Sequence, residues 1–200
     1  LFALVTAMIV GVTETASTAQ DTPVVVERFT SHGCSSCPAA DEMLARLGER
    51  DNIIALALHV DYWDYIGWKD KVAHAAFTKR QKGYARSFGN RSIYTPQMVI
   101  NGAADVVGNR PMDVTDMVQD HAAKDLRVAL TLKRSGDRLT ITAPASSGLA
   151  EADVILVRYT PSETGRIPRG ENAGKKLDYT HVITEWSDIG DWNGRTPLSS

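Results

Sequence analysis

The sequence has few cysteines, no excess of either charge and no long hydrophobic run. Two cysteines among 200 residues are too few for a disulfide-dense scaffold. The 22 Lys and Arg against 24 Asp and Glu give a formal net charge of −2. This balance excludes a polybasic protein that binds nucleic acid or lipid by charge alone. The composition, with 43% apolar and 23% charged residues, is instead typical of a globular chain.

The amino-terminal segment is apolar and then becomes small and polar. Residues 1–12 read LFALVTAMIVGV, which is shorter than the roughly 20 residues of a membrane helix but has the length of the apolar part of a signal peptide. Ser17, Thr18 and Ala19 supply the small residues of a cleavage site. We therefore predict that residues 1–19 are a signal-peptide remnant, and that a bacterium exports the protein to the periplasm or the medium. The mature chain is then expected to have no membrane span; the alternative is a buried amino-terminal strand or helix.

Residues 20–125 alternate between strand and helix patterns, which predicts an α/β domain with the order β-α-β-α-β-β-α. The predicted strands are 24–29, 53–60, 97–100 and 104–107, and the predicted helices are 34–50, 69–88 and 111–124. Two strands joined through a helix are expected to be parallel, whereas Asn101-Gly102 indicates an antiparallel hairpin. The domain should therefore contain a mixed sheet covered by helices.

Residues 126–200 have a different pattern, rich in alternating strands. Predicted strands lie at 127–132, 138–143, 154–159 and 178–186, with a polar, glycine-rich stretch at 161–176. We expect a small antiparallel β-unit appended to the first domain. Its end, WNGRTPLSS, carries no obvious stop signal, so we expect the sequence to be cut short there.

The two cysteines lie where the first strand gives way to the first helix, in the motif Cys34-Ser35-Ser36-Cys37. Free amide groups at a helix amino terminus stabilise a thiolate, which is the reactive form of cysteine. We expect Cys34 to be the more exposed sulfur and the attacking nucleophile, and Cys37 to resolve the mixed disulfide. Ser35 and Ser36 are small enough to leave the sulfurs accessible and can donate hydrogen bonds, and His32 can add positive charge.

Three alternative roles for the cysteine pair stay open. The pair could be a purely structural disulfide, although so short a loop gains only about 2 kcal/mol from chain entropy. It could be a Cu(I) site in which Cys34 and Cys37 are assisted by His32, which would make the protein a periplasmic copper-binding or copper-delivery module. It could also be an inert vestige in a non-catalytic binding protein.

Thr95-Pro96 precedes the predicted strand 97–100. A proline is permitted at the first residue of a strand. The more specific interpretation is a cis peptide bond that faces the cysteines and leaves the preceding backbone free to pair with an extended substrate segment.

Residues 22–125, approximately, resemble the thioredoxin-like superfamily. The resemblance rests on a strand, a CxxC motif at the start of a helix, and a TP pair before a hairpin and a final helix. The resemblance implies a thioredoxin fold, redox-active Cys34 and Cys37 and a cis Thr95–Pro96 bond. More narrowly, ERFTSHGCSSCPAAD, DYWDYIGW, TPQMVING and RGEN are similar to a family of secreted bacterial proteins of unassigned function. Members of that family have a thioredoxin-like amino-terminal part and a β-rich carboxy-terminal part.

Glu27 lies in the first strand, seven residues before Cys34. Thioredoxins keep a buried carboxylate on the corresponding strand, which moves a proton to or from the resolving cysteine. The resemblance therefore implies this role for Glu27, with a pKa raised by burial. The alternative is an ion pair between Glu27 and a neighbouring cation.

The segment 61–68 (DYWDYIGW) follows the predicted central strand, at the sheet edge where ligands bind in α/β proteins. Asp61 and Trp63 are candidates for a substrate-binding wall; a helix cap and aromatic packing are the alternative. His59 is interpreted as a hydrogen-bonded core residue. Residues 169–172 (RGEN) are interpreted as a solvated turn; the alternatives are contact with the active site and closure of a domain interface.

These features favour an exported thiol–disulfide oxidoreductase that acts on a protein or a small-molecule thiol or disulfide. The sequence has no phosphate-binding glycine loop, no nucleophilic serine elbow and no pair of histidines with metal-ligand spacing. We therefore predict no cofactor, no bound metal and no nucleic-acid partner.

Overall fold

The computed structural model describes residues 23–67, 69–124, 128–146, 148 and 151–199, so the predicted signal remnant at 1–19 lies outside the described residues. The first part of the chain follows the predicted order of strands and helices. It forms β1 (Val24–Thr30), α1 (Pro38–Gly48), β2 (Ile53–His59), α2 (Ala75–Phe88), β3 (Gln97–Ile100), β4 (Ala104–Val107) and α3 (Pro111–Ala122). A short 3-10 turn, Asp64–Ile66, lies between β2 and α2.

The predicted mixed sheet is confirmed, and it has helices on both faces. Strands β1 and β2 pair in parallel, whereas β3 pairs antiparallel with both β1 and β4. One apolar cluster packs α1 and α3 against the sheet, and a second packs α2 against the opposite face. The sequence of β2, IIALALH, is a nearly continuous apolar run, as expected for a strand that is covered on both faces.

Helix α2 begins at Ala75, later than the predicted start at residue 69. His74 has an extended backbone, and its ring Nδ1 accepts a hydrogen bond of 3.1 Å from the amide of Ala76, which caps the helix. The preceding residues form a turn instead, in which the Asp70 carboxylate accepts from the amide of Val72. The sequence predicted too early a start for α2 because the helical spacing of apolar residues continues into this turn.

The carboxy-terminal strands divide between two sheets. Strands β5 (Thr131–Ser135), β6 (Arg138–Ala143) and β9 (Leu198–Ser199) form the expected small antiparallel sheet. The long hairpin of β7 (Ala152–Arg166) and β8 (Lys176–Trp192) instead extends the main sheet, whose order is β4-β3-β1-β2-β8-β7.

Strand β8 joins the main sheet beside β2, where Val182 pairs with Ala57 in parallel. Its apolar residues Tyr179, Val182 and Ile183 are buried in the two cores, so the hairpin covers an otherwise open edge of β2. Residues 161–166 of the predicted polar stretch 161–176 belong to β7, and residue 176 begins β8. Pro161 is accommodated because β7 is the outer strand of the sheet. Within the described part of the chain, no helix is both long and apolar enough to cross a membrane.

Candidate functional site

A disulfide bond joins Cys34 to Cys37 immediately before α1. Cys37 is the residue that caps the helix, and Pro38 is its first residue, where the missing amide hydrogen costs little. The amides of Ala40 and Asp41 donate to the Cys37 carbonyl at 2.9 and 3.0 Å. The predicted position of the cysteine pair at a helix amino terminus is confirmed.

Both cysteines are buried, with 0% of Cys34 and 1% of Cys37 exposed. The expectation that Cys34 is the more exposed sulfur is therefore wrong in this oxidised form. The local sequence also does not contain a contact made by the turn between β7 and β8, residues 167–175, which hydrogen-bonds to the backbone of His32, Cys34 and Ser35. We call this segment the covering turn.

Asn172 is the central residue of the covering turn. Its side-chain nitrogen donates hydrogen bonds of 2.9 Å to the backbone carbonyls of both His32 and Cys34. Lys175 donates a hydrogen bond of 2.8 Å to the side-chain oxygen of Asn172. Asn172 is completely buried, so these bonds are protected from water.

A second contact joins the covering turn to Ser35 of the motif. The carboxylate of Glu171 accepts a hydrogen bond of 3.2 Å from the Ser35 amide, and hydrogen bonding from Ser35 lowers the pKa of Glu171. Ser36 Oγ lies 3.5 Å from Cys34 Sγ, as a hydrogen-bonding serine near the sulfur would. The interpretation of residues 169–172 as a solvated turn is therefore wrong; the segment contacts the cysteine motif.

The Thr95–Pro96 peptide bond is cis, as predicted. Phe29 at the end of β1 pairs with Gln97 at the start of β3. Because the strands are antiparallel, Pro96 lies beside the segment that leads from β1 to the cysteines. Trp63 contacts the same position, since its indole nitrogen donates a hydrogen bond of 2.9 Å to Thr95 Oγ1.

Trp63 and Asp61 have different surroundings. A Cβ placed on Gly33 would be 3.1 Å from the Cβ of Trp63, so Trp63 packs against the residue before Cys34. The Asp61 carboxylate accepts a hydrogen bond of 2.5 Å from Thr78 on α2. The structure therefore brings Trp63 to the site and connects Asp61 to the helix behind it.

Glu27 lies on the α2 face of the sheet and is 4% exposed. Its carboxylate accepts hydrogen bonds of 2.6 and 2.7 Å from Arg80 and of 2.7 Å from the Tyr84 hydroxyl. Burial and the nearby Glu27 carboxylate raise the pKa of Tyr84. These contacts correspond to the ion-paired alternative for Glu27, because both carboxylate oxygens have partners on α2.

A different buried carboxylate, Asp41, lies one helical turn after Cys37. Residues four apart share a helix face. Asp41 forms an ion pair with Arg28 and accepts a hydrogen bond of 3.3 Å from Thr30. Burial raises the pKa of Asp41, and the charge of Arg28 opposes this shift. The spacing of Cys37 and Asp41 was visible in the sequence, but the burial was not.

His32, two residues before the motif, belongs to a buried cluster with His59 and Asp70. The Asp70 carboxylate lies 2.8 Å from His59 Nδ1 and 3.3 Å from His32 Nδ1, and it accepts the His32 amide at 2.9 Å. The interpretation of His59 as a hydrogen-bonded core residue agrees with this contact. Sequence reasoning missed the cluster because its members lie on three separate segments.

The pKa values of His32 and Asp70 are both lowered, for different physical reasons. Burial lowers the pKa of His32 to about 4, against the opposing charge of Asp70. Burial acts to raise the pKa of Asp70. The hydrogen bond and the charge of His59, together with the charge and the backbone hydrogen bond of His32, outweigh burial and lower this pKa to about 2. Near neutral pH, therefore, Asp70 is ionised and His32 is neutral.

Residues 25–200 match the family described as Protein of unknown function (DUF1223). The chain belongs to DUF1223. Comparison with curated proteins gives no match.

Two solved structures are similar to this DUF1223 member. A protein from Agrobacterium tumefaciens, solved by X-ray crystallography, is 35% identical with a TM-score of 0.77, over 90% of this chain and 78% of that one. HBP35 of Porphyromonas gingivalis is 14% identical with a TM-score of 0.61. That alignment covers 92% of this chain and 64% of HBP35, and at this identity it shows a similar fold alone.

Proposed function

We propose that this DUF1223 protein is an exported thiol–disulfide oxidoreductase with a thioredoxin-like fold. The observation that carries the proposal is the Cys34–Cys37 disulfide at the amino terminus of α1, close to the Thr95–Pro96 bond. The element order from β1 to α3 supports the thioredoxin-like assignment, because it has the strand, helix and hairpin sequence that the resemblance implies.

The position of the cysteine pair at the amino terminus of α1 favours thiol–disulfide exchange. Amides at a helix amino terminus lack intrahelical partners, and together with the helix dipole they stabilise a nearby negative charge. A thiolate that forms at Cys34 or Cys37 is therefore favoured there over a thiolate in the middle of the chain. Ser36 adds a hydroxyl 3.5 Å from Cys34 Sγ that can donate to it.

The exchange proceeds in two steps. A partner thiolate attacks Cys34 Sγ, the Cys34–Cys37 bond breaks, and the electron pair leaves on Cys37, which then takes up a proton. A second partner thiolate attacks the partner sulfur of the mixed disulfide and releases Cys34 as a thiolate. The partner is oxidised by two electrons to a disulfide and the cysteine pair is reduced; reversing both steps oxidises the pair again. Asp41, buried one turn beyond Cys37, is the carboxyl group that we assign to the proton transfer.

Access to the sulfurs requires the covering turn to move. Both cysteines are buried, and Asn172 bonds the backbone on either side of Gly33. We propose that a partner displaces this turn and that the Thr95 backbone then pairs with the partner's extended segment. A thiol that cannot displace the turn is rejected, which restricts the substrates to those that bind the surrounding surface.

Export agrees with the presence of this disulfide. Disulfides form and persist in oxidising compartments, and residues 1–19 have the pattern of a signal-peptide remnant. In the periplasm or the medium the oxidised form is therefore the expected resting state.

The test is the reduction potential of the cysteine pair, measured by equilibration with glutathione buffers and trapping of free thiols. A value between about −120 and −270 mV, the range of exchange catalysts, supports the proposal. A value below about −300 mV indicates a structural bond and contradicts it. The variant Cys37→Ser provides a second readout, because it should trap a mixed disulfide on Cys34, whereas Cys34→Ser/Cys37→Ser should trap none.

A further inference from the structure

His32, His59 and Asp70 bring three potential metal ligands together in the interior. One ligand atom from each residue lies within 4.8 Å of the other two. His32 is 4% exposed, His59 0% and Asp70 1%. The cluster is formed by the ends of β1 and β2 and by the turn before α2, so the sheet itself determines where the two imidazoles meet.

The ring nitrogens of the two histidines are poorly satisfied. Among the described residues, His59 Nε2 and both ring nitrogens of His32 have no hydrogen-bond partner. His32 Nδ1 lies 3.3 Å from Asp70 Oδ1 without hydrogen-bond geometry. Buried polar atoms without a protein partner are uncommon in native proteins, and they are frequently the atoms that bind an ion or an ordered water molecule.

The charge of the cluster also favours a cation. A buried carboxylate is normally paired with a cation or coordinates a metal. The partners that the described residues offer to the Asp70 carboxylate are imidazole rings and the amides of His32 and Val72, with no lysine or arginine among them. The negative charge therefore lacks a fixed positive partner.

We propose that His32, His59 and Asp70 bind one divalent transition-metal ion, with Zn²⁺ as the probe. Two imidazole nitrogens and one carboxylate oxygen form a donor set that holds borderline divalent ions. Ligands at about 2.1 Å from a tetrahedral Zn²⁺ ion are about 3.4 Å apart. The Asp70 oxygens lie 3.3 Å from His32 Nδ1 and 2.8 Å from His59 Nδ1, which is close to this spacing. The cysteine sulfurs take no part, because they are bonded to each other.

A bound ion at this place connects the two halves of the candidate site. His32 lies two residues before Cys34, and its carbonyl accepts the hydrogen bond from Asn172. An ion held by His32 therefore fixes the backbone to which the covering turn is attached. The site is independent of the proposed redox function, since it requires only the oxidised, folded chain.

The experiment uses the oxidised full chain, dialysed first against a chelator and then incubated with Zn²⁺. We expect one Zn²⁺ per chain after removal of the excess, and a higher Tm for the loaded protein. Asp70→Asn and His59→Gln each alter a ligand, so each should weaken Zn²⁺ binding by at least the roughly 10–100-fold that loss of an outer-shell partner costs. The control His181→Gln changes a half-buried histidine on β8 outside the cluster and should bind Zn²⁺ like the wild type.

Co²⁺ gives a second measurement that does not depend on whether the variants fold. Co²⁺ added to the oxidised wild type should give the visible absorption of nitrogen and oxygen coordination without a thiolate charge-transfer band. The proposal would be overturned if the wild type bound no Zn²⁺ and gave no visible absorption with Co²⁺. Binding that Asp70→Asn and His59→Gln leave unchanged, in variants with native circular dichroism, would overturn it equally.

Discussion

The substitution Asn172→Ala should increase the rate at which the buried disulfide is reduced. It removes the two hydrogen bonds that Asn172 donates to the carbonyls of His32 and Cys34. At about 1 kcal/mol each, their loss favours the open covering turn by roughly 2 kcal/mol. Because 1.4 kcal/mol corresponds to a factor of ten, the open turn becomes about 30-fold more populated. If reduction requires the open turn, its rate rises by the same factor.

The assay is reduction by dithiothreitol, followed by alkylation of free thiols at successive times. Asn193→Ala is the matched control, because Asn193 is exposed and bonds only to the amide of Arg195 among the described residues. Val118→Ala controls for global stability, since Val118 is buried between α3 and the sheet. An unchanged rate in Asn172→Ala would refute the reasoning. So would an equal increase in Val118→Ala at matched stability, because reduction would then follow global unfolding.

Three further substitutions test individual contacts. Glu27→Gln should cost about 1.5–3 kcal/mol of unfolding free energy through its lost charge-assisted bonds, yet leave the rate of thiol exchange nearly unchanged; strongly slowed exchange would restore the proton-carrying role. The same substitution should lower the raised pKa of Tyr84, visible by ultraviolet titration. A raised tyrosine pKa contributes stability that is lost as the pH rises above about 10. The free energy of unfolding of the wild type should therefore fall above this pH, and that of Glu27→Gln should fall less. Trp63→Phe keeps an aromatic side chain, although a smaller one, and removes the indole N–H that donates to Thr95. The lost hydrogen bond should cost about 1 kcal/mol in a urea titration, and no change would mean that the bond is replaced by water. Gly170→Ala should loosen the covering turn, because Gly170 has φ +86° and an added Cβ would lie 2.6 Å from a side-chain carbon; the expected result is faster reduction by dithiothreitol, and a rate equal to the wild type would contradict it.

The sequence predicted the part of the site that is local in the chain. Cys34 and Cys37 precede a helix because a short apolar strand, a proline at the first helical position and an apolar stripe are all encoded within about twenty residues. The hairpin at Asn101-Gly102 was predictable for the same reason, since Asn101 and Gly102 both adopt the positive φ angles that this turn needs. The cis bond at Thr95–Pro96 also agrees with the sequence-based prediction.

The neighbours of these local elements were harder to predict. The prediction that Glu27 lies on a strand is correct. The strand pattern does not indicate which helix packs against the side chain of Glu27, and the structure places Arg80 and Tyr84 of α2 there. Asp41, on the opposite side of the sheet, shares a helix face with Cys37 instead. The two-residue period of a strand indicates that successive side chains point to opposite faces of the sheet. It does not indicate which residues of other elements contact them.

By itself, the sequence determined the order of the elements from β1 to α3, the mixed sheet and the position of the cysteine pair. Only the tertiary structure decided that Asn172, 140 residues from His32, hydrogen-bonds to the backbone carbonyls of His32 and Cys34, and that His32, His59 and Asp70 meet. The physical reason is that periodicity, turns and caps act over a few residues. The pairing of β8 with β2, which brings the covering turn to the cysteines, depends on burial of the whole β7–β8 hairpin against a sheet formed by distant segments.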